Sequence, residues 1–199
     1  MPDQLYSSLI LASKSPRRLD LLHQIGITPA EIYQSNTDET PAPNETARHL
    51  VERLAIMKAK AGAAKFPRSF VLGADTVVAC GRRILGKAED KDTARRYLEL
   101  LSGRRHRVFG GICVIDPAGT VKSKVVKTIV TFKRLEAAEL CEYLSDDQWC
   151  GKAGGYAIQG HAASFIKNIN GSYPNVVGLP LFETANLLAG MGYRLAGKN

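Results

Sequence analysis

The chain has 199 residues, 45% hydrophobic and 23% charged, which suits one substantial core or two small lobes on a common sheet and excludes disordered and fibrous classes. Lysine and arginine exceed aspartate and glutamate by 27 − 19 = 8, so an anionic partner is favoured, nucleotide or nucleic acid. Cys80, Cys113, Cys141 and Cys150 form no C-x-x-C pair, which speaks against a zinc cluster or a disulfide framework and predicts buried or idle thiols.

In chain order, Met1 to Ser8 brings no basic region ahead of an apolar run, and Leu9 to Ala12 is too short for a signal segment or a membrane span, so a cytoplasmic protein is expected. Leu9 to Ala12 instead reads as a strand. Ser13-Lys14-Ser15-Pro16-Arg17-Arg18 follows, with Ser15 as N-cap and Pro16 at the first position of a helix that closes at Gly26. A strand delivering its chain into a helix start offers backbone N–H groups and a positive dipole end to an anion. Arg17 and Arg18 oppose that dipole, a placement that makes sense if an anion binds between them; solvated arginines are the alternative.

Ala30 to Ser35 predicts a second strand, then a polar loop through Asp38-Glu39-Thr40 and Pro41-Ala42-Pro43. Asn44 is placed to cap a helix whose Ala47, Leu50, Leu54, Met57 and Ala61 form one apolar stripe. Arg53 and Lys58 sit off the centre of that stripe, facing a cleft or, by default, water.

Phe70 to Lys87 is the stretch around which the chain is organised. Phe70 to Cys80 reads as a buried strand interrupted by one acid, Asp75, with a hairpin return through Gly81-Arg82-Arg83 to Ile84-Leu85. A carboxylate inside such a strand needs a cation, a metal or several hydrogen bonds. Lys87, Lys58, Arg17 and Arg18 are the candidates, and together they point to a site for a metal-bound polyphosphate.

Asp92 or Thr93 caps the next predicted helix, closed by Gly103, and Arg104-Arg105-His106-Arg107 reads as a solvated turn. No aromatic residues interleave with those arginines, which argues against a nucleic-acid platform. Val108 to Ile115 predicts a strand weakened by Gly110 and Gly111, and Val121 to Leu135 a long antiparallel one. Glu136 to Leu144 predicts a short helix, Ser164 to Ile169 a strand, Asn170 to Pro174 a turn and Pro180 to Leu188 a last helix. Glycines crowd Asp146 to Gly160, where backbone comes close to a ligand or simply makes tight turns. No linker or repeat divides the chain, so residues 1–199 are expected to form a single domain.

Leu11-Ala12-Ser13-Lys14-Ser15-Pro16-Arg17-Arg18, Asp38-Glu39-Thr40, Arg53-Leu54-Ala55 with Lys58-Ala59, Gly73-Ala74-Asp75-Thr76, Gly86-Lys87, Leu101-Ser102-Gly103, Lys152 to Gly160, and Asn170-Gly171-Ser172-Tyr173 through Leu181 occur in one order across nearly the whole chain. In that order they closely resemble the Maf-like nucleoside triphosphate pyrophosphatases. The resemblance implies an α/β fold: a mixed, twisted sheet flanked by helices, elongated and two-lobed with a central cleft, as in inosine triphosphate pyrophosphatases. It also implies a divalent metal, Mg2+ or Mn2+, a nucleoside triphosphate substrate, a cytoplasmic location and a homodimer.

Arg17, Thr76 and Gln159 match the members acting on dTTP and UTP, whereas the 7-methyl-GTP group carries Trp, Gln and Glu there. A neutral Gln with donor and acceptor suits the O–C–N–H edge of uracil or thymine. Two departures stand out, Lys14 for a small or polar residue and Ala88 for a usual proline, which loosens the expected pose of Lys87.

The expected chemistry is hydrolysis between the α- and β-phosphates. Asp75 is expected to act as general base or metal ligand, with Glu39 as a carboxylate ligand of the metal or an orienter of its water. Ser13, Ser15, Arg17, Arg18, Lys58 and Lys87 hold the phosphates. His23, His49, His106 and His161 lack metal-ligand spacing and read as structural or exposed, with His161, beside Gly160, the one that could reach the cleft. The alternatives are a regulatory or nucleic-acid-binding protein inhibiting septum formation, the same chemistry on 7-methyl-GTP, and modified pyrimidines such as pseudo-UTP or 5-methyl-UTP.

Overall fold

The computed structural model describes residues 8–194, so the expectation for the leading segment lies, Ser8 apart, outside the described residues. One mixed sheet organises the chain. Its strands are β1 (Leu9–Ala12), β2 (Glu31–Ile32), β3 (Phe70–Cys80), β4 (Arg83–Leu85), β5 (Arg105–Ile115), β6 (Val121–Phe132) and β7 (Ile166–Asn170). They run in the order β2-β1-β3-β5-β6-β7, with β4 paired to β3 off that path. β2, β1 and β3 are parallel, and the remaining pairs are antiparallel.

Among the described residues six α-helices flank the sheet: α1 (Pro16–Gln24), α2 (Ala47–Lys65), α3 (Lys91–Leu101), α4 (Ala137–Tyr143), α5 (Tyr173–Val177) and α6 (Leu181–Gly190). Side chains alternate across a strand, and β3 shows this plainly. Val77 and Ala79 pack with Leu50, Val51 and Leu54 of α2, and Val71 lies on the same face. Phe70, Leu72 and Ala74 pack with Leu21 and Leu22 of α1 and Leu188 of α6. Farther along that second face, Val78 joins a separate cluster with Leu98, Phe132, Tyr143 and Phe165. Two cores on one face, sharing long strands and divided by a cleft, make the two lobes.

The edge of β3 that faces β1 is split. Phe70 to Gly73 pair with β1 and Val78 to Cys80 with β4, so Ala74, Asp75, Thr76 and Val77 have no strand partner on that edge. On the other edge Asp75 lies opposite Gly111 and Thr76 opposite Gly110. These two glycines admit neighbours on opposite faces. A Cβ at Gly111 would stand 2.3 Å from the Val51 carbonyl of α2, and one at Gly110 would stand 1.9 Å from Asn175 Oδ1 of α5. The predicted weakness of β5 is therefore close packing.

Several boundaries differ from expectation for local reasons. Thr46, not Asn44, caps α2 by accepting from His49 N at 3.3 Å, while Asn44 takes a positive φ of 60° in the preceding turn. Asp90, not Asp92 or Thr93, caps α3, accepting from Thr93 N at 2.7 Å. The expected strand from Ala30 to Ser35 shrinks to Glu31–Ile32. Arg105 to Arg107 extend β5 instead of forming a solvated turn, and His106 is buried. β6 stops at Phe132. A 3-10 turn, His161–Phe165, replaces the start of the predicted strand, and the expected turn at Asn170 to Pro174 contains the start of α5, capped by Ser172. Among the described residues no helix is long and apolar enough to cross a membrane.

Candidate active site

A cavity of about 680 Å³ opens over the split edge of β3. Ser13, Ser15, Arg17, Arg18, Glu39, Lys58, Asp75, Thr76, Lys87 and Gln159 all line it, so every expected site residue converges there. A smaller cavity of about 190 Å³ adjoins it, sharing Arg17 and Gln159 and adding Gln24 and Tyr173.

Alternation on β3 sends Asp75 toward α2 and Thr76 toward α1. Asp75 meets Lys58, whose Nζ donates to Oδ1 at 2.5 Å; both residues are 8% exposed. Lys58 therefore turns inward, not to water, because a buried carboxylate without its cation would be costly. The same ammonium lies 2.6 Å from Glu39 Oε1, and Glu39 Oε2 accepts from Lys87 Nζ at 2.8 Å. Partial burial opposes ionisation of Glu39, but hydrogen bonds from Lys58 and Lys87 outweigh it and hold the carboxyl down at about 2. Carboxylate, ammonium, carboxylate and ammonium thus form a chain from the strand to the mouth of the cleft.

On the other face Arg18 is buried and pins three segments. Its Nη1 donates to Ser13 Oγ at 2.7 Å, Nη2 to Thr76 Oγ1 at 3.2 Å and Nε to the Gly178 carbonyl at 2.9 Å. Burial lowers its pKa, while Asp75 and Glu39 act in the opposite sense. The Thr76 hydroxyl in turn donates to the Gly178 carbonyl at 3.4 Å. Ser15 heads α1 without a side-chain cap, and its N–H donates to Ser13 Oγ at 3.3 Å. One N–H expected to be free for an anion is thus already engaged.

Arg17 is differently placed. Its Nε donates to the Val177 carbonyl at 3.3 Å, and among the described residues no carboxylate forms an ion pair with it. Burial again lowers its pKa. Lys152 was not singled out from the sequence as a site residue, yet it lines the same cavity. Burial lowers its pKa and the nearby positive charge of Arg17 adds to the effect. Its place in the glycine-dense stretch was the available signal.

Lys87 is held better than Ala88 implied. Ala88 N donates to the Lys152 carbonyl at 3.1 Å, a bond proline could not make, and the Ala88 carbonyl accepts from Gly151 N at 2.8 Å. Gly154 N donates to the Gly86 carbonyl at 3.0 Å, so both neighbours of Lys87 are tied to the glycine-dense loop. His161 does not line the cavity; its ring packs against Tyr143 and Phe165. Cys80 and Cys113 are buried, Cys141 and Cys150 are exposed, and all four are free.

The model of the family described as Maf-like protein matches residues 8–191. The chain belongs to the Maf-like protein family. This Maf-like chain is 60% identical to the dTTP/UTP pyrophosphatase of Paramagnetospirillum magneticum over 93% of its own length and 97% of the relative's. It is 58% identical to the dTTP/UTP pyrophosphatase of Rhodospirillum rubrum, over 94% of its own length and 89% of the relative's. Among solved structures, the dITP/XTP pyrophosphatase of Mycobacterium abscessus shares 17% identity over 65% of this chain and 76% of its own, with a TM-score of 0.41.

A divalent cation would need oxygen ligands, and the carboxylates of Glu39 and Asp75 both reach the Lys58 ammonium, so a metal held between them would take that ammonium's place. Magnesium is commonly bound through one or two carboxylates with waters and substrate phosphates completing its shell, and this pair fits that pattern. No group of three or more His, Cys, Asp or Glu suited to a metal occurs among the described residues.

Proposed function

We propose that this chain hydrolyses dTTP and UTP to the nucleoside monophosphate and pyrophosphate. The observation that carries the reading is the convergence of Asp75, Lys58, Glu39 and Lys87 in one cleft, with Arg17 and Gln159 on its walls. The high identity to relatives named for that activity supports it.

Asp75 takes a proton from water as the water oxygen bonds to the α-phosphorus. The bond from that phosphorus to the oxygen bridging toward the β-phosphate breaks, and the electron pair leaves with pyrophosphate. Lys58 bonds Oδ1 of Asp75 and leaves Oδ2 for the water. Arg17, Lys58 and Lys87 balance the phosphate charge, while Arg18 holds Ser13 and the Ser15 turn in place for the tail. Glu39 and Asp75 would hold Mg2+ or Mn2+ with the Lys58 ammonium released from between them to the phosphates, and the chemistry the metal would supply is neutralisation of phosphate charge and acidification of a water. Gln159 presents donor and acceptor to the pyrimidine edge. Thr76, its hydroxyl engaged by Arg18 and Gly178, contributes shape beside the base. The reading includes a cytoplasmic homodimer, as the family resemblance implies.

The test is pyrophosphate release by purified protein against dTTP, UTP, 7-methyl-GTP and the modified pyrimidines, with and without Mg2+. Pyrimidine triphosphates should turn over only with the metal, and Asp75→Asn should lose ~10²–10⁴-fold in kcat with an unchanged circular dichroism spectrum. Near-normal turnover by Asp75→Asn would reject the assignment. Salt-sensitive nucleic-acid binding without turnover would favour the regulatory alternative.

A further inference from the structure

Helix α2 grips the Glu39 segment twice. Lys58 takes the carboxylate, and Arg53, five residues earlier on the same helix, takes the backbone: its Nη2 donates to the Thr40 carbonyl at 3.0 Å. The same guanidinium forms a two-pronged pair with Glu45, Nε to Oε1 and Nη2 to Oε2, each at 2.8 Å. Glu45 Oε2 also accepts from Ala42 N at 2.9 Å, and its side chain is only 9% exposed. Asp38 Oδ1 accepts from Thr40 N at 2.9 Å. Both backbone groups of the residue after Glu39 are therefore tied down. Residues 33–46 form no helix or strand, so these side-chain bonds do the work that a hydrogen-bonded ladder does elsewhere.

We propose that Arg53 is a positioning residue for the reaction, acting through Thr40 and Glu45 to aim the Glu39 carboxylate at Lys58 and Lys87. The proposal rests on the role given to Glu39 in the reading above. Glu39 reaches two ammonium groups at 2.6 and 2.8 Å, and a backbone drift of about 1 Å would break both contacts. Misplacement of that size can cost about 10²-fold in rate. The Arg53 guanidinium is partly buried and pairs two-pronged with a nearly buried Glu45, so it also supports stability, and the thermal midpoint must be read beside kcat to separate aim from folding.

The experiment is a double-mutant cycle of Arg53→Ala and Glu39→Ala, with kcat and KM for dTTP, thermal midpoint, and Mn2+ affinity by paramagnetic resonance in the presence of the α,β-methylene analogue of dTTP. Arg53→Ala alone should lower kcat about 10- to 100-fold and weaken Mn2+ about tenfold, with KM for dTTP changed less. In the Glu39→Ala background the same substitution should change either quantity by less than about twofold, because its target is gone. Arg53→Lys, which keeps the charge and a donor to the Thr40 carbonyl, should recover part of both losses. An equal loss in the two backgrounds, or an Arg53→Ala protein within about twofold of the parent in kcat and Mn2+ affinity, would overturn the proposal. If Arg53→Ala fails to fold, Arg53→Gln takes its place in the same cycle with the same criteria. A Glu39→Ala protein with unaltered turnover and Mn2+ affinity rejects the role of Glu39; a damaged one with additive effects rejects Arg53 alone.

Discussion

Asp75 and His106 are both carried inward by long strands, and the chain treats them oppositely: the acid receives an ammonium, the imidazole receives rings. His106 Nε2 lies 2.7 Å from the Tyr156 hydroxyl, its ring meets Phe132 edge-on, and its Nδ1 has no hydrogen-bond partner. Burial pushes its pKa down to about 4. A base with a folded pKa below its unfolded value of about 6.5 keeps its full contribution above that value and loses it as pH falls. The thermal midpoint should therefore drop between about pH 6.5 and pH 4, a loss of about 3 kcal/mol at most, and His106→Phe should flatten that segment of the profile. Glu39 adds a second acid limb, lost as pH falls from its ordinary range toward about 2. The need of Asp75 for a cation was legible in the sequence, since one acid in an apolar run demands it. Its choice of Lys58 was not, because a lysine beside an apolar stripe reaches water as easily as a cleft. Asn44 against Thr46, and Asp92 against Asp90, were close contests between capping residues that the path of the entering chain decided.

Among the elements, α2 and the paired strands β3 and β5 set the precision of the site. A Cβ at Gly73 would stand 2.3 Å from the Ala55 carbonyl, and one at Gly111 would stand 2.3 Å from the Val51 carbonyl, so helix backbone rests directly on sheet backbone at two points. Lys58 projects from the same helix into the cleft, onto Asp75. Gly111→Ala must push α2 away, and should cost about 1–3 kcal/mol in denaturant unfolding and lower kcat through the Lys58 to Asp75 contact. A Gly111→Ala protein with unchanged unfolding midpoint would show that the helix can shift freely. From the sequence the long strands, α2 and the capped start of α1 were readable by period. The glycines of β5 were seen only as a weakness, because what fills the space of a missing side chain is a tertiary fact. The helical turn of α5 is silent in the sequence for a related reason: a helix as short as Tyr173–Val177 offers too few residues to show a period.

At the scale of the molecule, a net charge of +8 and a cleft lined by Arg17, Lys58, Lys87 and Lys152 make an electrostatic funnel for a polyanion. Raising monovalent salt from ~0.05 to ~0.5 M should increase KM for UTP several-fold while changing kcat less, measured at fixed free Mg2+. A KM indifferent to salt would place recognition in the base and not the tail. The split edge of β3 bears on how such a cleft moves. Its two walls are not hung on a flexible joint: both grow from the same long strands, one wall where β1 pairs and the other where β4 does. Widening the mouth thus means twisting a continuous ribbon of hydrogen-bonded backbone, a stiff, distributed strain that favours small breathing motions over a wide swing.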